Sequence, residues 1–315
     1  VQNTLIGGLA GDAITTGEEN TAVGKNALGA NTTASYNTSM GSSSMLVNTT
    51  GANNVALGVN ALKSNTTASN NTGIGFGALV ANTTGTQNVA VGALALDANT
   101  VGNYNTALGY LALSTDTEGS TSTALGYAAL KDQNFTSATN SFNVAVGHLT
   151  GESITTGVQN TLIGALAGDA LTDADYNVAL GYAALGSDTL GSRTVALGYG
   201  ALAAQNFTSA TSAYNTAVGT LAGGGVTTGI QNTLIGGLAG DALTDADYNV
   251  AVGKGALSAD TLGSRAVAIG KNALQAQNFT SATDNYNVAM GYHAGQNITT
   301  GIQNTLIGGL AGDAI

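Results

Sequence analysis

The residues with most chemical potential in this chain are few and periodic. Asp173-Ala174-Asp175 and Asp245-Ala246-Asp247 repeat an alternating carboxylate phrase, each followed by Tyr-Asn. Alternating acids suit a hard cation such as calcium, which gathers several oxygens on one side. No turn glycine or closing glutamate follows either phrase, so solvated turn carboxylates are the expectation, with Asp173, Asp175, Asp245 and Asp247 as weak calcium ligands. Asn134, Asn206 and Asn278 stand in N-x-Thr sequons with Phe in the middle, and Asn31, Asn48, Asn65 and Asn82 form further sequons. Such asparagines accept glycans in a glycosylating organism and otherwise serve as good turn residues.

All eleven tyrosines fall into two columns. Tyr36, Tyr104, Tyr176, Tyr214, Tyr248 and Tyr286 precede a recurring Asn; Tyr110, Tyr127, Tyr182, Tyr199 and Tyr292 follow a recurring Gly. Tyr110 with Tyr127, and Tyr182 with Tyr199, are placed to stack, either as an aromatic ladder for sugar rings or as cover for strand edges and subunit grooves. Other chemistries are excluded. There is no Cys, which removes thiol catalysis, disulfides and Cys-ligated metals. His148 and His293 are isolated, no Ser-His-Asp arrangement exists, and Gly223-Gly224-Gly225 lacks the strand-to-helix context of a phosphate loop. An enzyme is not expected, nor is a cofactor. A net charge of −11 opposes nucleic acid and anionic lipid. No run of 18 apolar residues is present, so no membrane insertion is expected.

The elements that position these residues are set by a repeat. With 46 Gly, no Pro and only 8% charged residues, the composition departs from that of ordinary globular domains. The phrase Asn-(Thr/Val)-Ala-(Val/Leu/Ile)-Gly recurs in 18 copies from Gly7 to Gly308, spaced by 17 residues except for three steps of 21. The longer unit is 72 residues, and residues 158–229 and 230–301 match at 51 of 72 positions. Repeats this short fit one coil of a parallel β-solenoid, so we expect an all-β fold of about 18 coils, with residues 1–315 a single continuous array. Stacking at about 4.8 Å per coil implies a rod of roughly 85 Å. Each 21-residue step should bulge outward, because extra residues inside a strand would flip its side chains.

The residue before Gly is aliphatic in every copy, and Thr or Val stands two positions earlier. These share one strand face, which we expect to line the core. The small Asn/Ala/Gly face suits close approach of another backbone, so Ala22, Gly24, Ala56 and Gly58 are expected at an interface between chains. With Thr directed inward, the Thr/Val column does not serve as a flat ice-binding array. Asn begins the motif in 15 of 18 copies, the exceptions being Ser122, Thr194 and Ala266; stacked, these residues should form amide ladders. A second apolar patch, usually Ala-Leu, follows the motif. Seven copies replace that Leu by Gly, and six of these carry Leu two residues earlier (Leu9, Leu149, Leu166, Leu221, Leu238, Leu310), which reads as volume compensation.

The phrase Asn20-Thr21-Ala22-Val23-Gly24-Lys25-Asn26-Ala27-Leu28, followed by Asn31-Thr32-Thr33, resembles the repeats of trimeric autotransporter adhesin heads. It is still more similar to repeats in phage tail-fibre shafts and bacterial tail-fibre-like surface proteins. The resemblance covers all 18 copies and implies a homotrimeric β-roll in an extracellular cell-surface appendage or virion fibre. The expected role is a structural shaft or spacer. The alternative is an adhesin or tail-fibre segment that holds host-surface glycan through Tyr110, Tyr127, Tyr182 and Tyr199. Residues 2–14 recur unchanged as 303–315, so the chain reads as one stretch of a longer fibre.

Overall fold

The computed structural model describes residues 2–314. The chain divides into two compact units, residues 1–159 and 160–315. Each unit is a parallel β-solenoid with nine three-residue strands, Thr4–Ile6 to Val144–Val146 in the first and Thr161–Ile163 to Thr305–Ile307 in the second. Strands pair with the same motif residues one coil on: Val55 with Thr72, Ala56 with Gly73, Leu57 with Ile74. The register holds across the 21-residue steps, where Thr123 pairs with Val144, Val195 with Thr216 and Val267 with Val288. No helix occurs among the described residues.

The β-branched and aliphatic residues favour the short strand, and glycine ends it. The motif glycines adopt φ between +126° and +145°, where only glycine is comfortable. A Cβ on Gly58 would lie 2.4 Å from the carbonyl oxygen of Gly75 in the next coil. Backbone conformation and coil-to-coil approach therefore impose the same residue independently. Further bends use the left-handed region at fixed positions, as at Asn26 (φ 58°), Leu28 (φ 55°) and Tyr36 (φ 64°).

The core lies on the opposite strand face from the one expected. Mid-strand Ala22, Ala56, Ala179 and Ala217 are fully buried inside their coils, whereas Ile6, Leu57, Leu108 and Leu180 point to solvent. Ala22 and Ala56 are thus lumen residues rather than chain-interface residues, and Gly24 and Gly58 pack against the next coil's glycine. The reason is width. The lumen accommodates mid-strand Ala facing one Leu, such as Leu28 or Leu62, and no second rank of branched side chains.

Volume compensation exists, but between different positions. The six leucines two residues before the glycines point outward or lie half-exposed, Leu9 at 60% exposure. The missing Leu is replaced instead from across the lumen. A Cβ on Gly168 would meet Leu171 Cδ1 at 2.8 Å and Leu162 Cδ2 at 3.0 Å; one on Gly240 would meet Leu234 and Leu243, each at 2.8 Å. Every coil with Gly here carries an aliphatic residue three positions later, from Ile14 to Ile315, and every coil with Leu or Met carries Asn, Asp or Gln there. Ile315 itself lies outside the described residues.

Two amide ladders run through the interior. In the first, Asn37 N–H donates to Asn20 Oδ1 at 3.0 Å, while Asn37 Nδ2 donates to the Gly51 carbonyl at 3.0 Å. Asn232 and Asn249 repeat the backbone-to-Oδ1 step at 2.9 Å. The second ladder joins Asn31, Asn48, Asn65, Asn82 and Asn99; Asn65 Nδ2 donates to Asn48 Oδ1 at 2.8 Å and to the Ala68 carbonyl at 2.9 Å. Buried amides are tolerated because both halves of the side chain find partners, as in Asn65 and Asn82; at the end of the second ladder the Asn99 Oδ1 is left without one.

A buried carboxylate replaces the second ladder in the coil before each 21-residue step. Asp116, Asp188 and Asp260 are fully buried. Asp116 Oδ1 accepts from the backbone of Gly119 (2.9 Å) and Phe135 (3.1 Å), and Oδ2 accepts from Gln133 Nε2 at 2.6 Å. Asp188 with Gln205, and Asp260 with Gln277, repeat the arrangement. Burial pushes the Asp116 carboxyl above the usual carboxylate range, opposed by these hydrogen bonds. The Gln amides also reach Ser122 Oγ (2.8 Å) and Thr194 Oγ1 (3.2 Å), two of the three exceptions in the Asn column. The insertion therefore begins inside the stack, with Gln133 and Phe135 buried, and bulges only at residues 136–138. The expected outward bulge is correct for its tip but not for its root.

Neighbouring substitutions in one strand test which face is inside. Leu162→Ala should cost about 2–5 kcal/mol, because Gly168 leaves nothing to fill the cavity. Ile163→Ala should cost well under half as much in the unassociated chain, measured by hydrogen exchange across residues 155–185. Asp188→Asn should destabilise by about 1–3 kcal/mol. Its amide would face the donor of Gln205, and turning Gln205 would set donor against the Asn215 Nδ2 that now donates to Gln205 Oε1 at 2.8 Å. Faster proteolysis within residues 208–210 is the expected readout.

Candidate functional site

The strand alternation that buries Ala turns two ranks of side chains outward. One is Thr or Val at the strand start; the other is Val, Leu, Ile or Met at its end. They stand about 6.6 Å apart along a strand and repeat about every 4.8 Å between coils. Neither rank contains a charged residue. In the first unit Val55, Leu57, Val89 and Leu108 are all exposed, Leu57 by 44%; in the second, Ile163, Val178, Leu180 and Ile235 are. Val59, Phe76, Tyr110 and Tyr127, two residues beyond the strand ends, are exposed as well. With a fully exposed aliphatic side chain offering about 100 Å² and roughly a third of each exposed here, nine coils of two ranks leave on the order of 600 Å² of apolar surface per unit. That is at the upper end of the largest apolar patch on a monomer, a size that often marks an interaction site.

The tyrosines after the glycine stack on one another. Tyr110 and Tyr127 have ring centroids 5.8 Å apart, and Tyr182 and Tyr199 5.5 Å apart. His148 continues the first stack, 5.1 Å from Tyr127. The ring faces between neighbours are thereby closed, and Tyr127 has a ring on each face. His293 lies against Tyr292 and Gln296.

The acidic phrases are divided by a buried alanine. Ala174 and Ala246 face the core, so Asp173 and Asp245 are exposed on one side and Asp175 and Asp247 half-buried on the other. Asp245 Oδ1 accepts from Thr228 Oγ1 and Asp247 Oδ1 from the Ile230 backbone, both at 2.8 Å. These carboxylates satisfy the preceding coil, and no group of three acidic or His side chains gathers among the described residues. The sequons separate by burial. Asn31, Asn48, Asn65 and Asn82 are fully buried ladder members, Asn134 is half-buried, and Asn206 and Asn278 are exposed.

Sequence reasoning missed two arginines. Arg193 stands in the tyrosine column before the motif Asn, its guanidinium 5.0 Å from the ring centre of Tyr176 and 5.9 Å from that of Tyr214. Arg265 lies 4.7 Å from Tyr248 in the equivalent place. The signal was present: both occupy the coil between two column tyrosines, 72 residues apart.

Production in a glycosylating host provides a direct check. Folded chain should carry glycan at Asn206 or Asn278 and none at Asn65, whose Nδ2 hydrogens are both engaged; peptide mass analysis reads the difference. No protein-family model matches the chain and no curated protein matches it, so the outward strand face, with its flanking aromatic columns, is the feature from which function is argued.

Proposed function

We propose that the protein is a non-enzymatic structural shaft of an extracellular fibre, whose chains associate through the outward strand face, three chains being the expected assembly. The observation that carries this reading is the uncharged double rank of Thr/Val and aliphatic residues repeated in every coil. Its estimated area per unit approaches the roughly 800 Å² per partner of a standard stable interface. Rank size varies from Val146 to Met290, so the surface suits interdigitation with side chains of equal irregularity, as a second copy supplies. This reading assigns the proposed interface to the face opposite the small Ala/Gly column. Within each coil the amides and backbone groups are largely engaged, which supports a load-bearing element whose stability comes from coil-to-coil contacts.

A second reading draws on the outward Thr rank, since Thr21, Thr38 and Thr233 belong to the outward face rather than to the core. A flat hydroxyl and methyl array suits ordered water, as on an ice surface. The bulky, uneven aliphatic rank beside it favours a protein partner. Thermal hysteresis in dilute solution separates the two, being absent if the face is occupied by other chains.

The test is the mass of the native particle. Wild-type chain should sediment as an assembly of three copies at micromolar concentration. The double variant Leu57→Glu and Leu108→Glu should run as a monomer with its coil structure retained, because both side chains already face solvent in the single chain. A wild-type monomer at all concentrations would refute association through this face.

A further inference from the structure

The 72-residue duplication contains an internal comparison. Residues 176–214 and 248–286 place Tyr, Arg and Tyr at matching positions in the exposed column before the motif Asn. All six residues adopt the left-handed conformation, φ between 52° and 63°. Asn and Gly carry that conformation at least cost, and the chain uses Asn53 and Asn70 in the same column. Keeping Tyr and Arg there carries a backbone cost that Asn or Gly would lessen. Nothing in the core requires their side chains, since Tyr176, Tyr214, Tyr248 and Tyr286 are all exposed.

The copies differ at one partner. In the second, Asp284 places a carboxylate oxygen 2.9 Å from Arg265 Nε. The first copy has Ser212 at the matching position, and its hydroxyl accepts from an Arg193 terminal nitrogen at 2.6 Å. Among the described residues Arg193 has no carboxylate partner. The second copy thus supplies from its own chain the anion that the first lacks.

We infer that Arg193, held between Tyr176 and Tyr214, binds a carboxylate of an acidic polysaccharide, in the place that Asp284 fills on Arg265. A guanidinium pre-set against aromatic rings directs its edge N–H groups outward, and those not donated to Ser212 can meet a planar carboxylate. The exposed tyrosines beside it offer apolar ring surface to a sugar. An acidic peptide is disfavoured because Arg193 lies mid-stack, where neighbouring coils take up the backbone: Arg193 N–H donates to the Asp175 carbonyl and Val195 N–H to that of Asn215. Strand addition needs a free edge. Tyr176, Arg193 and Tyr214 lie two residues before the outward rank of Val178, Val195 and Thr216 and do not belong to it.

Calorimetric titration of the full chain with tetragalacturonate tests the inference. Wild type should bind one equivalent, with affinity falling as salt rises. Arg193→Gln should weaken binding about ten- to hundredfold, the value of one charge-assisted contact, while Arg265→Gln leaves it unchanged. Ser212→Asp should close the site as Asp284 closes its counterpart. Asp284→Ser should open a second site and raise the stoichiometry to two, a gain that misfolding does not produce. The inference is overturned if wild type does not bind, if Arg193→Gln binds as wild type does, or if Asp284→Ser still binds one equivalent. Equal binding of neutral tetragalactose or of poly-glutamate overturns it too.

Discussion

The width of the coil lumen governs the rest of the structure. Motif glycines bring successive coils so close that a single methyl group at Gly58 would strike the next carbonyl, and the space enclosed holds one leucine opposite one alanine. From this follow the Ala column, the exchange of Leu for Gly with aliphatics across the lumen, and the expulsion of the larger strand residues. An ordinary domain puts its branched side chains inside because its core is several side chains thick. Here the closing backbone leaves no such depth, and the apolar excess becomes surface.

Amide ladders and buried carboxylates follow from the same narrowness. A thin coil brings backbone groups into the interior that its own strands do not pair, and one Asn side chain satisfies two of them: Asn37 accepts from the Asn54 N–H of the next coil and donates to the Gly51 carbonyl of the turn between. Where an insertion interrupts the stack, a neutral amide no longer has matching partners, and Asp with Gln takes over. Repeated left-handed corners at residues such as Leu28 and Tyr36 oppose folding, and coil-to-coil hydrogen bonds offset them. Stability is consequently distributed, and damage to one coil is felt chiefly by its neighbours.

Much of this was readable from spacing. The period, the parallel register, the Asn column and the outward tips of the insertions follow from the 17- and 21-residue steps. The inward face did not follow, because strand alternation separates two faces without saying which is enclosed, and both carried apolar residues. A decisive clue lay elsewhere in the repeat. Leu appears mid-strand, as at Leu162 and Leu234, only in coils that also have Gly168- or Gly240-type glycines. That coupling requires the mid-strand position to face the second apolar patch across the lumen. The carboxylate clusters had a similar signal in Asp116, Asp188 and Asp260, each replacing a ladder position one coil before an insertion. The Tyr–Arg contacts were hidden because the column was followed through its tyrosines alone, and Arg193 and Arg265 stand in the coils between them.

The absence of cysteine permits a direct test of which strand face is enclosed and what the other face does. Single Cys replacements at adjacent residues, Ala179→Cys and Leu180→Cys, can be titrated with a thiol reagent in dilute and concentrated chain. The lumen position should stay unreactive at every concentration. The outward position should react rapidly when dilute and become protected as chains associate. Rapid labelling at 179 with protection at 180 in the dilute monomer would contradict the account.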